Sequence, residues 1–193
     1  MREASDRRSF LKRAHALGVP LEVLPEQEEA RLISLGIMSG LRFHLPLGLF
    51  LDIGGGSVEL TVADAANTYC LFSLQLGAVR LTEKFLTRDP PPHRELKELR
   101  TYIRDELRSV ARRVQKEKFT MAFGSGGTIT ALAETDTRAT GDGKASSLTV
   151  LRRQRLKALL DLLVGRTTQE RAHMISGDPK RADIIVAGGL VLH

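Results

Sequence analysis

The run Leu-Phe-Leu-Asp-Ile-Gly-Gly-Gly-Ser-Val-Glu-Leu at positions 49–60 constrains the fold more than any other stretch of this chain. An apolar strand ends at Asp52-Ile53, three glycines turn the backbone, and a second strand opens with Val58-Glu59-Leu60. The alternation of Val58, Leu60 and Val62 gives that second strand one apolar face. Hairpin turns need only two residues of the Asn-Gly or Asp-Gly type, so three glycines between Asp52 and Ser57 exceed what a plain turn requires. Glycines lack the Cβ atoms that keep a ligand away from the backbone, so Gly54, Gly55, Gly56 and Ser57 can offer N–H groups to a phosphate. A carboxylate beside such a loop can hold a divalent cation, a role open to Asp52 and Glu59.

The logic recurs downstream. Met121-Ala122-Phe123 reads as a strand, Gly124 to Thr128 as a loop, and Ile129 to Ala133 as the start of a helix. Free N–H groups at a helix start favour anions, which makes Ser125, Gly126, Gly127 and Thr128 a second candidate phosphate contact or, more simply, a structural turn. Neither loop is a P-loop, because no Gly-Lys-Ser or Gly-Lys-Thr closes it. Neither is a dinucleotide fingerprint: a strand follows the first, and Ile129 replaces the third glycine of the second. Both loops lie at the C-terminal ends of strands, where open α/β sheets place ligands, so they are expected to face one cleft.

The surrounding pattern predicts an α/β fold. Leu49–Leu74 forms three antiparallel strands, Met121–Phe123 joins the same mixed sheet, and helices flank it. The expected helices are Asp6–Leu17 with Phe10, Leu11, Ala14 and Leu17 inward and Gly18 as the stop; 25–37 behind Pro25; Leu81–Leu86; Arg94–Lys118; 150–164; a short one behind the Thr167–Glu170 capping box; and Arg181–His193. Leu21–Leu24 is a strand candidate and Glu134–Ser147 a polar loop.

The formal charge is +6, from 29 basic and 23 acidic residues. It suits an anionic ligand, although solvated helix faces account for most of it. With two Tyr, seven Phe and no Trp, none interleaved with a basic patch, nucleic acid is not expected as a partner. No apolar run reaches the roughly 20 residues of a membrane span. The charged N-terminus has no secretory h-region. The lone Cys70 fits a reducing cytoplasm and core packing. The five histidines have no ligand spacing, so zinc is not expected.

Two further sites stay open on spacing alone. Glu28-Glu29 opens a helix, where acidic residues usually complement the dipole, and catalysis is the sharper reading. Arg80, in Leu76-Gly77-Ala78-Val79-Arg80, meets a phosphate or pairs at the surface.

Taken together, Glu28-Glu29-Ala30-Arg31-Leu32-Ile33, Asp52–Leu60, Leu76–Leu81, Gly124–Thr128 and Arg181-Ala182-Asp183-Ile184-Ile185 resemble, in order and spacing, the exopolyphosphatase and guanosine pentaphosphate phosphohydrolase family. The resemblance implies an actin-like ATPase fold with the active site between two α/β domains. It implies hydrolysis of terminal phosphoanhydride bonds of polyphosphate or guanosine pentaphosphate, with magnesium as the cofactor. The family's catalytic glutamate, directly before Ala-Arg-Leu, maps to Glu29. Its phosphate loops map to Asp52–Ser57 and Gly124–Thr128, and its following glutamate maps to Glu59. A homodimer is usual in the family.

The chain departs from that pattern in lacking the family's opening Asp-x-Gly-Ser-Asn-Ser block and in having Pro25-Glu26 where Ser-Gly is usual. Residues 1–47 are therefore expected to be the remnant of a first domain carrying the catalytic glutamate, and 48–193 an incomplete second domain. Such a chain is expected to turn substrate over feebly. The alternatives are a non-catalytic binder of polyphosphate or guanosine tetraphosphate, and a phosphotransferase of the same superfamily.

Overall fold

The computed structural model describes residues 5–41, 47–141 and 149–193. Four strands, β1 (Gly48–Ile53), β2 (Val58–Ala63), β3 (Thr68–Leu74) and β4 (Met121–Ser125), form one sheet in the order β3-β2-β1-β4. The first three make an antiparallel meander, and β4 lies parallel to β1. A parallel return needs a crossover, which α3 (Ala78–Phe85) and α4 (His93–Gln115) supply. Helices α1 (Arg7–Ala16) and α2 (Glu26–Ser39) precede the sheet, and α5 (Gly127–Thr140), α6 (Arg153–Val164), α7 (Thr168–Met174) and α8 (Ile185–Leu192) follow it.

The pleat decides what each face carries. Val58, Leu60 and Val62 of β2 join Leu99, Ile103, Val110 and Val114 of α4 and the apolar α8 in the main core. Burying each such side chain stabilises the fold by roughly 1.5–3 kcal/mol. The opposite face lies under α2, where Phe50, Ala63 and Phe123 pack with Ile37 and Met38. Phe50 and Phe123 are stacked there at 5.5 Å between ring centroids. Thr61 is buried on this face and donates its hydroxyl to the Ala30 carbonyl at 3.5 Å. Helix α2 is thereby held against the sheet, with its N-terminal turn at the glycine end of β1.

Three expectations change. Leu21–Leu24 is irregular chain and joins no strand. The loop expected from Glu134 instead continues α5 to Thr140. Its polar side chains satisfy themselves: Thr135 and Thr137 donate to the carbonyls one turn back, at 2.6 and 2.9 Å, and Asp136 pairs with Arg155 at 2.8 Å. Polarity therefore did not prevent a helix there, while residues 142–147 of the expected loop lie outside the described residues. Helix α1 forms and Gly18 stops it at φ +76°, but its expected apolar face finds no core: Phe10 is 47% and Leu17 81% exposed. The remaining helices shift by a few residues at their ends, and the capping box of Thr167 and Glu170 is present.

Candidate active site

Strand register builds the site. Ser73, Glu59, Asp52 and Ser125 lie opposite one another on β3, β2, β1 and β4, forming one polar row across the sheet on the α2 face. The next row inward, Leu71, Thr61, Phe50 and Phe123, is largely apolar. Ser73 donates its hydroxyl to Glu59 Oε1 at 3.1 Å, and Ser125 donates to Asp52 Oδ1 at 2.5 Å. Asp52 and Glu59 of this row line a pocket of about 490 Å³ whose walls include Glu29, the loop Gly54–Ser57 and Arg80, while Ser73 and Ser125 stand behind them.

Glu29 stands in the first turn of α2 and is separated in role from its neighbour. Glu28 is at the surface, bonded to Arg31 at 2.7 and 2.9 Å, and that bond holds its carboxyl below the usual carboxylate range. Glu29 faces the pocket. Glu59 is only 3% exposed. Burial pushes its carboxyl above the ordinary range; the Ser57 and Ser73 hydroxyls pull it back, and the charges of Glu29 and Asp52 add to the rise. Three carboxylates thus share one electrostatic neighbourhood.

The glycine loop is oriented by its carbonyls. Ala78 N–H donates to Gly54 O at 2.9 Å, Arg80 N–H to Gly55 O at 3.1 Å, and Gly77 N–H to Gly56 O at 3.2 Å. Arg80 Nε adds a second bond to Gly56 O at 3.0 Å. In a planar trans peptide the C=O and the next N–H point in opposite directions. The N–H groups of Gly55, Gly56 and Ser57 therefore point away from α3, and no acceptor among the described residues engages them. Gly54 differs from expectation: its N–H is spent on Ser57 O at 3.1 Å, so it braces the loop. Arg80 lines the pocket and braces the loop as well.

The second loop lies alongside the first. Gly126 adopts φ +84°, and a Cβ there would lie 2.9 Å from both Asp52 Oδ1 and Ile53 O. Ser125 reaches the site through Asp52, while Gly126, Gly127 and Thr128 open α5 next to it. Thr128 is 1% exposed and its side chain packs on Gly188, which leaves only its N–H for an anion.

Sequence reasoning missed four contributors. Ser73 is invisible without the register that sets it beside Glu59. Gln75 and Glu26 meet at 3.3 Å between β3 and α2, a contact 49 residues apart in the chain. Arg181 lays its guanidinium over Gly127, where a Cβ would fall 2.0 Å from Cζ; its position in a matching block was the available signal.

The residues suit a hard divalent cation. Asp52 and Glu59 are register partners on β1 and β2 and line one pocket, and a buried acid pushed toward neutrality is one whose ionised form a cation would restore. Among the described residues no three His, Cys, Asp or Glu could hold a metal ion as a group. A cation here would complete its shell with water and substrate oxygens, as magnesium commonly does.

Residues 1–193 match the profile of the Ppx/GppA phosphatase family. The chain belongs to this family. It is 31% identical over 189 residues to "Exopolyphosphatase 2" of Mycobacterium tuberculosis, covering 95% of this chain and 59% of that protein. It is 32% identical over 193 residues to "Exopolyphosphatase 1" of Mycobacterium leprae, covering 99% of this chain and 57% of that one. A crystal structure of the Aquifex aeolicus Ppx/GppA phosphatase superposes with a TM-score of 0.78 at 28% identity, covering 99% of this chain and 63% of the other. The chain thus spans less than two thirds of the length of each of these proteins. As a family member it has the actin-like ATPase type of fold, and its mixed sheet places both glycine loops at the C-terminal ends of the parallel pair β1 and β4.

Proposed function

We propose that this chain acts in the hydrolysis of terminal phosphoanhydride bonds of inorganic polyphosphate. The observation that carries the reading is one pocket holding Glu29, the Asp52–Glu59 pair and three backbone N–H groups turned away from α3. Glu29 takes the proton of a water aligned behind the terminal phosphorus. The N–H groups of Gly55, Gly56 and Ser57, with those of the second loop, hold the phosphate oxygens on which charge gathers. Asp52 and Glu59 are the residues that would hold Mg²⁺, which when bound offsets phosphate charge. Ser73 and Ser125 fix the two carboxylates. Guanosine pentaphosphate presents the same terminal chemistry; the names of the exopolyphosphatase relatives favour polyphosphate.

The test is magnesium-dependent phosphate release from polyphosphate. Glu29→Gln keeps shape and removes basicity, so release falls by at least about a hundredfold while binding changes little. Near-normal turnover in that variant would falsify the base assignment. Binding without any release by the parent chain would replace the enzyme with a non-catalytic binder.

A further inference from the structure

The stretch from Ser73 to Arg80 touches every part of the candidate site. Ser73 bonds Glu59, and the N–H groups of Gly77, Ala78 and Arg80 hold the carbonyls of the glycine loop. Gln75 stands between them. Leu76 N–H donates to Leu74 O at 2.8 Å, a three-residue turn with Gln75 at its tip. Leu76 is fully buried, while Gln75 is exposed and lines the pocket. Its amide Nε2 donates to Glu26 Oε1 at 3.3 Å. Core packing does not account for an exposed side chain at this position, so its bond to α2 is what remains to be explained.

That bond falls where α2 is most prone to open. Pro25 is the N-cap and supplies no side-chain cap to the first turn, and helices fray from such ends. Glu29 stands in this turn, its N–H donating to Pro25 O at 3.0 Å. Glu26 and Glu29 are three residues apart and are therefore neighbours on the helix surface. The packing of α2 on the sheet lies further along the helix. Thr61 reaches the Ala30 carbonyl at 3.5 Å, and Ile37 and Met38 join the cluster of Phe50 and Phe123. A tie at Glu26 thus acts on the end of the helix that carries Glu29.

We propose that Gln75 is a positioning residue for Glu29: its bond to Glu26 fixes the first turn of α2 to the same stretch of backbone that aims the N–H groups of the glycine loop. The base and the anion cradle are thereby set relative to each other by one segment. The role of Glu29 rests on the function proposed above, whereas the tie rests on the bond and on the missing cap. The test compares Gln75→Ala, Gln75→Glu and a swapped double variant, Gln75→Glu with Glu26→Gln, in the full chain. The swap keeps the charge of the pocket wall and again sets an amide donor opposite a carboxylate, with the two exchanged. Amide hydrogen exchange of Glu29, read by NMR against that of Leu99 in α4, reports the turn; kcat and KM for magnesium tripolyphosphate report the reaction.

In Gln75→Ala, exchange at Glu29 quickens about three- to tenfold, the range that one such bond supports. The kcat falls about tenfold, because a slightly misplaced base loses its alignment, while KM stays within about twofold. Gln75→Glu, which sets two carboxylates together, is impaired at least as much, and the swapped variant returns to within about threefold of the parent in both readouts. Unchanged exchange in Gln75→Ala overturns the inference, and so does faster exchange with unchanged kcat. A swapped variant no better than Gln75→Glu alone overturns it as well, since a general structural loss would not be rescued by exchanging donor and acceptor. If the parent releases no phosphate, the function proposed above fails, and exchange at Glu29 in the single and swapped variants decides whether Gln75 holds the turn.

Discussion

Gly77→Ala is the sharpest test of how the glycine loop is held. A Cβ at position 77 would lie 2.3 Å from Gly55 O and from Gly56 C, and 2.4 Å from Gly55 C. These are backbone atoms, so no side chain can swing aside; the loop or the start of α3 must move. Such overpacking costs about 1–3 kcal/mol. The movement also strains the four hydrogen bonds from residues 77–80 to the loop carbonyls, and losing two of them adds about 1–3 kcal/mol. At about 2–4 °C per kcal/mol for a chain of this size, Tm should fall by roughly 4–24 °C. Tripolyphosphate binding should weaken with it, because the same bonds aim the N–H groups of Gly55, Gly56 and Ser57.

Gly56→Ala is the matched control. A Cβ there meets nothing within 4 Å, and its φ is not in the left-handed region, so the change is neutral or stabilises by about 0.4–1 kcal/mol through the unfolded chain. Calorimetric melting and titration with magnesium tripolyphosphate read both variants. Equal Tm and equal affinity for the two would refute the claim that carbonyl anchoring orients the loop.

Other outcomes follow from the same geometry. Glu59 favours its proton more when folded than when unfolded, so the folded state binds more protons and parent stability falls as pH rises above the ordinary carboxylate range. Glu59→Gln should abolish that decline in denaturant titrations run from acid to neutral pH, and magnesium should restore stability to the parent but not to the variant. Arg171 is 3% exposed and bonded to Asp89 at 2.5 Å, so Asp89→Ala strands a buried cation and costs about 3 kcal/mol by urea denaturation. Gly127→Ala pushes against the tip of the Arg181 side chain, which can yield; stability should change by less than about 1 kcal/mol, while tripolyphosphate affinity drops as the guanidinium leaves the second loop.

Much of the fold was legible because its signals are local. Alternation at Val58, Leu60 and Val62 and the glycines at 54–56 marked the hairpin, the three- and four-residue spacing of Leu99, Ile103 and Val110 marked α4, and Thr167 with Glu170 marked a cap. Exposure of α1 was not legible, since amphipathic spacing shows that a face exists and not what covers it. Nor was α5 beyond Ala133, where Thr and Asp bond back to helix carbonyls or to Arg155.

For the site, sequence supplied the chemical types: a glutamate pair, an aspartate before glycines, a glutamate after them and a second loop. Spacing alone left Glu28 and Glu29 equivalent, with only the family resemblance pointing to Glu29, and it left Arg80 undecided and the three glycines interchangeable. Tertiary structure separated them. Arg31 takes Glu28 to the surface, α3 captures the loop carbonyls and thereby aims three N–H groups, and sheet register lines Ser73, Glu59, Asp52 and Ser125 into one row. Spacing along a chain fixes which side of a strand a residue occupies, but only pairing between strands distant in sequence fixes its neighbours. Charge balance and burial at Glu59 depend on those neighbours, so the chemistry of the site was decided there.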